Sequence, residues 1–249
     1  MNILLTNDDG VSSPGISLLA GALRVAGHRV FTLAPDCNRS GVSHAISFLN
    51  GPCKLTEIED DTWSCSGTPA DCVILALMGG LPPMGDSKPD LVISGINRGA
   101  NLGTDIVYSG TAAAARQAVF LGIPALALSL VEGDRWYWET VVSFAVENLE
   151  EMRAFWKADT FINVNFPNRE EPPLGFRPAF PARRRYNDSV TVFKPASGGV
   201  YCFTEGGKTG AVHAPGSDYE AVAGNYASMS SVFIYPVSME DVREKKEKA

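Results

Sequence analysis

Long apolar runs are missing. Nothing in the 249 residues approaches the roughly 20 consecutive apolar positions of a membrane span, so no membrane partner is expected. No basic stretch precedes the first apolar residues, so no secretory signal is expected and a cytoplasmic location is. A basic excess is missing too. Lys and Arg number 21 against 28 Asp and Glu, a net charge of -7, which argues against a nucleic-acid partner. The five cysteines (Cys37, Cys53, Cys65, Cys72, Cys202) are odd in number and form no Cys-x-x-Cys pair. Structural zinc is therefore disfavoured, and reduced, mostly buried thiols are the plainer reading. Three histidines, His28, His44 and His213, are too few and too scattered for a histidine metal cage or a histidine phosphatase. There is neither a nucleophile elbow nor a Walker-type lysine.

What is present is an alternation of strands and helices in a chain that is 45% hydrophobic. Strands are expected at 2–6, 28–34, 91–94, 124–130 and 161–165. Helices are expected at 14–26, 69–78, 111–121 and 136–156, with Thr68 capping the second and Pro69 at its first position. That order predicts an α/β fold, a Rossmann-like doubly wound and mostly parallel sheet. After Pro167 the pattern changes. Short strands at 176–180, 189–195 and 200–204 lie between Pro- and Gly-rich turns, which predicts an antiparallel hairpin extension. A strand returns at 227–235. One domain spans 1–249: a core at 1–167 and 211–237, an extension at about 168–210, and a charged terminal helix at 238–249.

Ligands of open parallel sheets collect beyond the carboxyl ends of the strands. Three such loops are rich in oxygen-bearing side chains: Asn7-Asp8-Asp9-Gly10, the stretch 35–41 with Ser40 and Gly41, and the stretch 95–103 with Asn97 and Asn101. Carboxylates, amides and a hydroxyl form a hard-oxygen set that suits magnesium, manganese or calcium. Two adjacent aspartates can share one divalent ion, which cancels their repulsion. The plainer alternative makes them solvated turn residues, one of them a helix cap. Ser109-Gly110-Thr111 opens the Ala-rich helix and offers backbone N–H groups at a positive helix end, either as a phosphate site or as an ordinary cap. His44 reads as a general acid or orienting group or, more plainly, as a hydrogen-bonded structural residue. Trp136 and Trp138 read as surface packing or an oligomer contact. A dehalogenase-like phosphatase would want Asp-x-Asp after the first strand, and here the aspartates are adjacent.

The stretches ILLTNDDG, GVSSPGI, APDCNRSGVSHAIS, SGTPADCV, PDLVISGINRGANLGTDIVYSGTAAAA, LGIPALALS, FINVNFP and GSDYEAVAGNYASMSSV run through nearly the whole chain. Together and in this order they resemble the SurE nucleotidases (survival protein E). The resemblance implies a divalent-metal-dependent hydrolase of nucleoside 5′- and 3′-monophosphates, sometimes of short polyphosphate. It implies metal ligands at Asp8, Asp9, Ser40 and Asn97, with one ion, Mg2+ or Mn2+, per subunit. Catalysis would rest on Asp8, Asp9 and Asn97, with Asp9 a candidate proton acceptor. Phosphate contacts would come from Ser40, Gly41, Asn101, Ser109, Gly110 and Thr111. It also implies that the extension swaps between subunits of a homodimer or homotetramer. One departure stands out: an acidic residue and a glycine, common in the family, are replaced by Gln117 and Ala118, where altered packing or subunit contact is expected. The alternative activity is a regulatory module that binds nucleotide without hydrolysing it.

Overall fold

The computed structural model describes residues 1–79, 88–206, 210–211 and 214–237. Its main sheet has nine strands in the order β3-β4-β2-β1-β5-β6-β7-β13-β8. In chain order these are β1 (Asn2–Thr6), β2 (Arg29–Pro35), β3 (Leu55–Glu59), β4 (Thr62–Cys65), β5 (Leu91–Arg98), β6 (Ala125–Leu130), β7 (Thr160–Phe166), β8 (Phe176–Pro178) and β13 (Ala227–Phe233). Strands β4, β2, β1, β5, β6 and β7 run parallel. The edge strand β3 is antiparallel to β4, and β13 is antiparallel to β7. The chain leaves β1 to one side for β2 and later returns to its other side for β5. The gap between β1 and β5 is thus a topological switch point, where an open sheet presents a crevice at its carboxyl edge.

Both faces of this sheet are covered, which explains why β1, β2 and β6 read as continuous apolar runs rather than alternating ones. Helices α1 (Pro14–Val25) and α4 (Trp138–Glu147) pack with Ile3, Leu5, Ile93, Leu128 and Val164 on one face. Helices α2 (Pro69–Met78) and α3 (Gly110–Phe120) pack with Leu4, Leu33, Val92, Ala127 and Phe161 on the other. Thr68 and Asp71 form a reciprocal capping box at the start of α2, and Pro69 follows the cap as expected.

Four expectations are corrected. The helix expected at 136–156 is two: α4 ends at Glu147 and α5 runs over Leu149–Ala154. Asn148, at φ -112° and ψ 21°, marks the break, and its side-chain nitrogen donates to the Phe144 carbonyl (2.8 Å) alongside its own N–H (3.2 Å). The strand expected at 91–94 continues to Arg98. The first extension strand, β8, pairs in parallel with β13 rather than in an antiparallel hairpin. The antiparallel hairpin is formed by β10 (Ser189–Phe193) and β11 (Tyr201–Glu205). Two-residue strands β9 (Arg184–Arg185) and β12 (Gly210–Ala211) pair separately. All five cysteines are free, but only Cys65 and Cys72 are buried. The terminal helix expected at 238–249, and His213, lie outside the described residues. No helix among the described residues is long and apolar enough to cross a membrane.

Candidate active site

The carboxyl end of β1 is rigidly built. Asn7 is fully buried; its nitrogen donates to the Gly10 carbonyl (2.9 Å) and to the Ser13 hydroxyl (2.7 Å), closing a tight turn. This turn holds Asp8 buried and leaves Asp9 half-buried. The Thr111 hydroxyl donates to Asp8 Oδ1 at 2.5 Å. Gly110 permits that approach, since a Cβ there would stand 2.8 Å from the Asp8 Cβ. The first turn of α3 is therefore pressed directly against Asp8. Asp9 Oδ2 accepts from the backbone N–H of Arg98 (2.8 Å), which fastens β1 to the end of β5.

The other loops are tied to the same point. The Arg39 N–H donates to the carbonyl of Asp8 (2.7 Å), and the Ser40 N–H to the Asn38 side chain (2.7 Å). Ser43 donates from both its N–H and its hydroxyl to the backbone carbonyls of Tyr108 and Val107. In β5, Ser94 stands opposite Ala127 and Asn97 opposite Ser129, so β5 carries one extra residue between them. Such a bulge re-aims the side chain that follows. Asn97 spends its nitrogen on the Gly99 carbonyl (2.8 Å), which leaves its side-chain oxygen as the atom for a ligand. Asn101 is pinned by its backbone: its N–H donates to Asn165, and its carbonyl accepts from Asn163 and Asn165. Its side-chain nitrogen lies 2.8 Å from the Ser129 hydroxyl. A hydroxyl both donates and accepts, so Asn101 can present either end of its amide to the cleft.

A cleft of about 610 Å3 opens at this edge, and Asp8, Ser40, Gly41, Asn97, Asn101 and Ser109 all line it. Asp9, Gly110 and Thr111 do not. Thr111 is fully buried and engaged by Asp8, so its hydroxyl positions that carboxylate. Asp9 is half-buried beside Asp8 with one oxygen held by the Arg98 N–H, and a proton-acceptor role for it gains no support from the geometry.

Burial pushes the Asp8 carboxyl above its ordinary range, the Thr111 hydroxyl pulls it back, and the Asp9 charge pushes it up again. Burial also raises Asp9, against the Arg98 N–H and guanidinium. Among the described residues no ion pair involves either carboxylate. Nor, among the described residues, do three or more acidic, histidine or cysteine side chains stand where they could hold a metal ion. Any cation here would depend on the carboxylate pair plus neutral oxygens.

The cleft has walls that sequence reasoning missed. Asp105, Tyr108, Glu132, Arg98 and Arg184 also line it. Arg184 comes from β9, far along the chain. Its Nη1 pairs with Asp105 Oδ2 (2.5 Å), and the Tyr186 hydroxyl donates to Asp105 Oδ1 (2.5 Å). Its Nε is buried with no partner. The run Arg183-Arg184-Arg185 was the only signal of this wall. Behind it, Asp218 in α6 (Asp218–Ala223) accepts from the backbone N–H groups of Gly103 (2.7 Å) and Ala182 (2.9 Å). Gly103, at φ +55° and with Ala182 O only 2.0 Å from where its Cβ would be, allows that contact.

A family model described as Survival protein SurE matches residues 3–188. The chain belongs to the SurE family. A relative named 5'-nucleotidase SurE, from Xanthomonas campestris pv. campestris (strain B100), is 41% identical over 239 residues, covering 94% of this chain and 90% of its own length. Another of the same name, from Xylella fastidiosa (strain M12), is 39% identical over 242 residues with the same coverage. The crystal structure of the Sure protein from Aquifex aeolicus superposes with a TM-score of 0.84 at 35% identity, covering 100% of this chain and 99% of that one.

Membership gives the remaining features a frame. His44 Nε2 lies 3.0 Å from the Gln117 side-chain oxygen and stacks on Phe120, and burial pushes its pKa down. It is the hydrogen-bonded histidine expected, and Gln117 is its partner. Trp138 is buried and stacks on Trp136, over which the Arg98 guanidinium lies at 5.0 Å. This pair packs the wall behind β5.

Proposed function

We propose that this SurE chain is a divalent-metal-dependent phosphomonoester hydrolase acting on nucleoside 5′-monophosphates, and on 3′-monophosphates and short polyphosphate as well. One observation carries the reading. Two adjacent carboxylates, raised by burial and without an ion-pair partner among the described residues, stand at the switch point of a parallel sheet, and Asp8 lines a cleft together with amide and hydroxyl groups. The relatives' name, 5'-nucleotidase SurE, supports the same activity.

Such a pair is unfavourable alone and fits a hard cation, Mg2+ or Mn2+, one per subunit. Asp8, the free oxygen of Asp9, the Ser40 hydroxyl and the Asn97 side-chain oxygen would hold it. Once bound, a cation of this kind offsets phosphoryl charge and makes water a better nucleophile at neutral pH. The chain's own groups do the rest. Thr111 locks the Asp8 rotamer. Ser109 caps α3 by accepting from Ala112, which leaves its hydroxyl hydrogen free to donate to a phosphate oxygen. The Asn101 amide adds a donor, and Gly41 offers a backbone N–H at the opposite lip. Together they fix the phosphoryl group for in-line attack. The exposed β10–β11 hairpin is, on this reading, a contact between copies of the chain in a homodimer or homotetramer.

A phosphate-release screen tests this: nucleoside monophosphates crossed with Mg2+, Mn2+, Ca2+ and chelator. Release in Mg2+ or Mn2+ that chelator abolishes and the cation restores is the expected result. Tight nucleotide binding with no release in any cation would assign the chain to a regulatory role instead.

A further inference from the structure

A second, smaller cavity of about 270 Å3 adjoins the reaction cleft. Leu102, Val131, Glu132, Pro167, Tyr219 and Val222 are among its walls. Glu132 lines both spaces, and Asn101 in the one is followed directly by Leu102 in the other. Whole small-molecule pockets run from ~300 to ~1,000 Å3, so this one suits a fragment. Its walls are mostly apolar, with one aromatic ring, Tyr219, which is 43% exposed. Two charged side chains, Glu132 and Arg169, also line it. Asn168, which also lines it, accepts from the Tyr137 N–H and donates to the Arg135 carbonyl, so neither end of its amide is free to read a ligand edge.

We infer that this cavity is the base subsite: it takes the heterocycle of the nucleotide, stacked on Tyr219, while the phosphate lies at Asp8 and Ser109. The inference rests on the nucleotidase reading above and adds to it the part of the substrate that sets affinity. Tyr219 holds its place because α6 is anchored by Asp218, which accepts from Gly103 and Ala182. The ring therefore keeps a fixed relation to the loop that carries Asn101. Glu132 spends one oxygen on the Ala100 N–H (3.3 Å) and lies between the two spaces, where a ribose hydroxyl would pass. Stacking is tolerant of base identity and the Asn168 amide is occupied, so the stack on Tyr219 holds purines and pyrimidines alike.

The test compares a substrate with a base to one without. KM and kcat are measured for AMP, UMP and ribose 5-phosphate on the wild type, Tyr219→Ala and Tyr219→Phe. Tyr219→Ala is expected to raise KM about tenfold for both nucleotides, the scale of one lost base–aromatic stack. It leaves kcat and all ribose 5-phosphate kinetics within twofold, roughly the scatter of context effects at such sites. Tyr219→Phe retains the stack and the wild-type KM. An unchanged AMP KM in Tyr219→Ala, or an equal rise for ribose 5-phosphate, overturns the base subsite. Ribose 5-phosphate also reports on folding, since a misfolded variant loses it as well. If wild type releases phosphate from none of the three, it is the nucleotidase reading that fails.

Discussion

Strands β1 and β10 are both five residues long, and both are rich in β-branched or aliphatic side chains. Their fates are opposite. In NILLT every residue after Asn2 is buried, and in SVTVF every residue is exposed. Strand β1 lies between β2 and β5, with a helix-covered core on either face. Strand β10 pairs with β11 alone, in a two-stranded sheet of its own. Local composition makes a strand in both cases, but burial depends on neighbours from elsewhere in the chain. The difference also separates two kinds of job. A strand buried on both faces can hold Asp8 and Asp9 near one another against their repulsion, because the turn at Asn7 and the start of α3 cannot yield. An exposed hairpin has no such support and can serve only as a surface.

Breaking the buried end has the largest expected effect. Asp8→Asn keeps the side chain's shape and an oxygen for Thr111, but removes the charge that would hold a cation. Phosphate release from AMP should fall by about 10³-fold in saturating Mg2+, on the scale of losing a principal electrostatic stabiliser. Thermal stability should hold or rise, because the lost charge was one that burial disfavoured. Near wild-type turnover by Asp8→Asn would show that β1 is only a core strand.

Arg184→Ala tests the point where the two regions meet. The guanidinium belongs to the extension, yet it lines the reaction cleft and grips Asp105, and only 11% of its side chain is exposed. Its loss leaves Asp105 to Tyr186 alone and removes a cation from the cleft. A fall of about tenfold in kcat/KM is expected, the lower end of what supporting residues around a metal site contribute. Arg184→Lys should recover only part of it, since an ammonium cannot reproduce the fork. An unchanged kcat/KM would confine the extension to assembly.

The same contrast explains what was legible beforehand. Asp8, Ser40, Asn97 and Asn101 could be singled out because the loops after the strands of a parallel sheet share one edge, and Ser109 because it opens an Ala-rich helix. The bulge that aims Asn97 was not readable, because LVIS looks like a complete strand and the extra residue shows only against β6. The break at Asn148 was hidden by an apolar periodicity that continues through it. Arg184, Asp218 and Tyr219 were out of reach for another reason. Arg184 and Asp218 bond to loop 99–105 from about 80 or more positions away, Tyr219 follows Asp218 in α6, and no local pattern encodes such a return. The hairpin was legible as strands and illegible as surface.

That hairpin supplies the mildest prediction for turnover. In the β10–β11 register Phe193 stands opposite Tyr201, and Phe203 follows on the same face; each is 56% exposed. An isolated two-stranded hairpin is marginal in water, and three uncovered aromatic rings are a large apolar area to leave wet. A second copy of the chain would cover them and stabilise the hairpin together. The double variant Phe193→Asp, Phe203→Asp places two charges on that face, where desolvating them is costly. Light scattering should show the wild type as an assembly and the variant at a smaller mass. Phosphate release per chain should stay within about twofold, because the Arg184–Asp105 clamp is made from β9 and involves no residue of β10 or β11. A monomeric wild type would remove the second copy from the account. A variant of unchanged mass would move the contact to another face. A variant that loses turnover along with mass would mean the two regions are not separable, because the cleft then needs the neighbouring subunit to hold its extension wall in place.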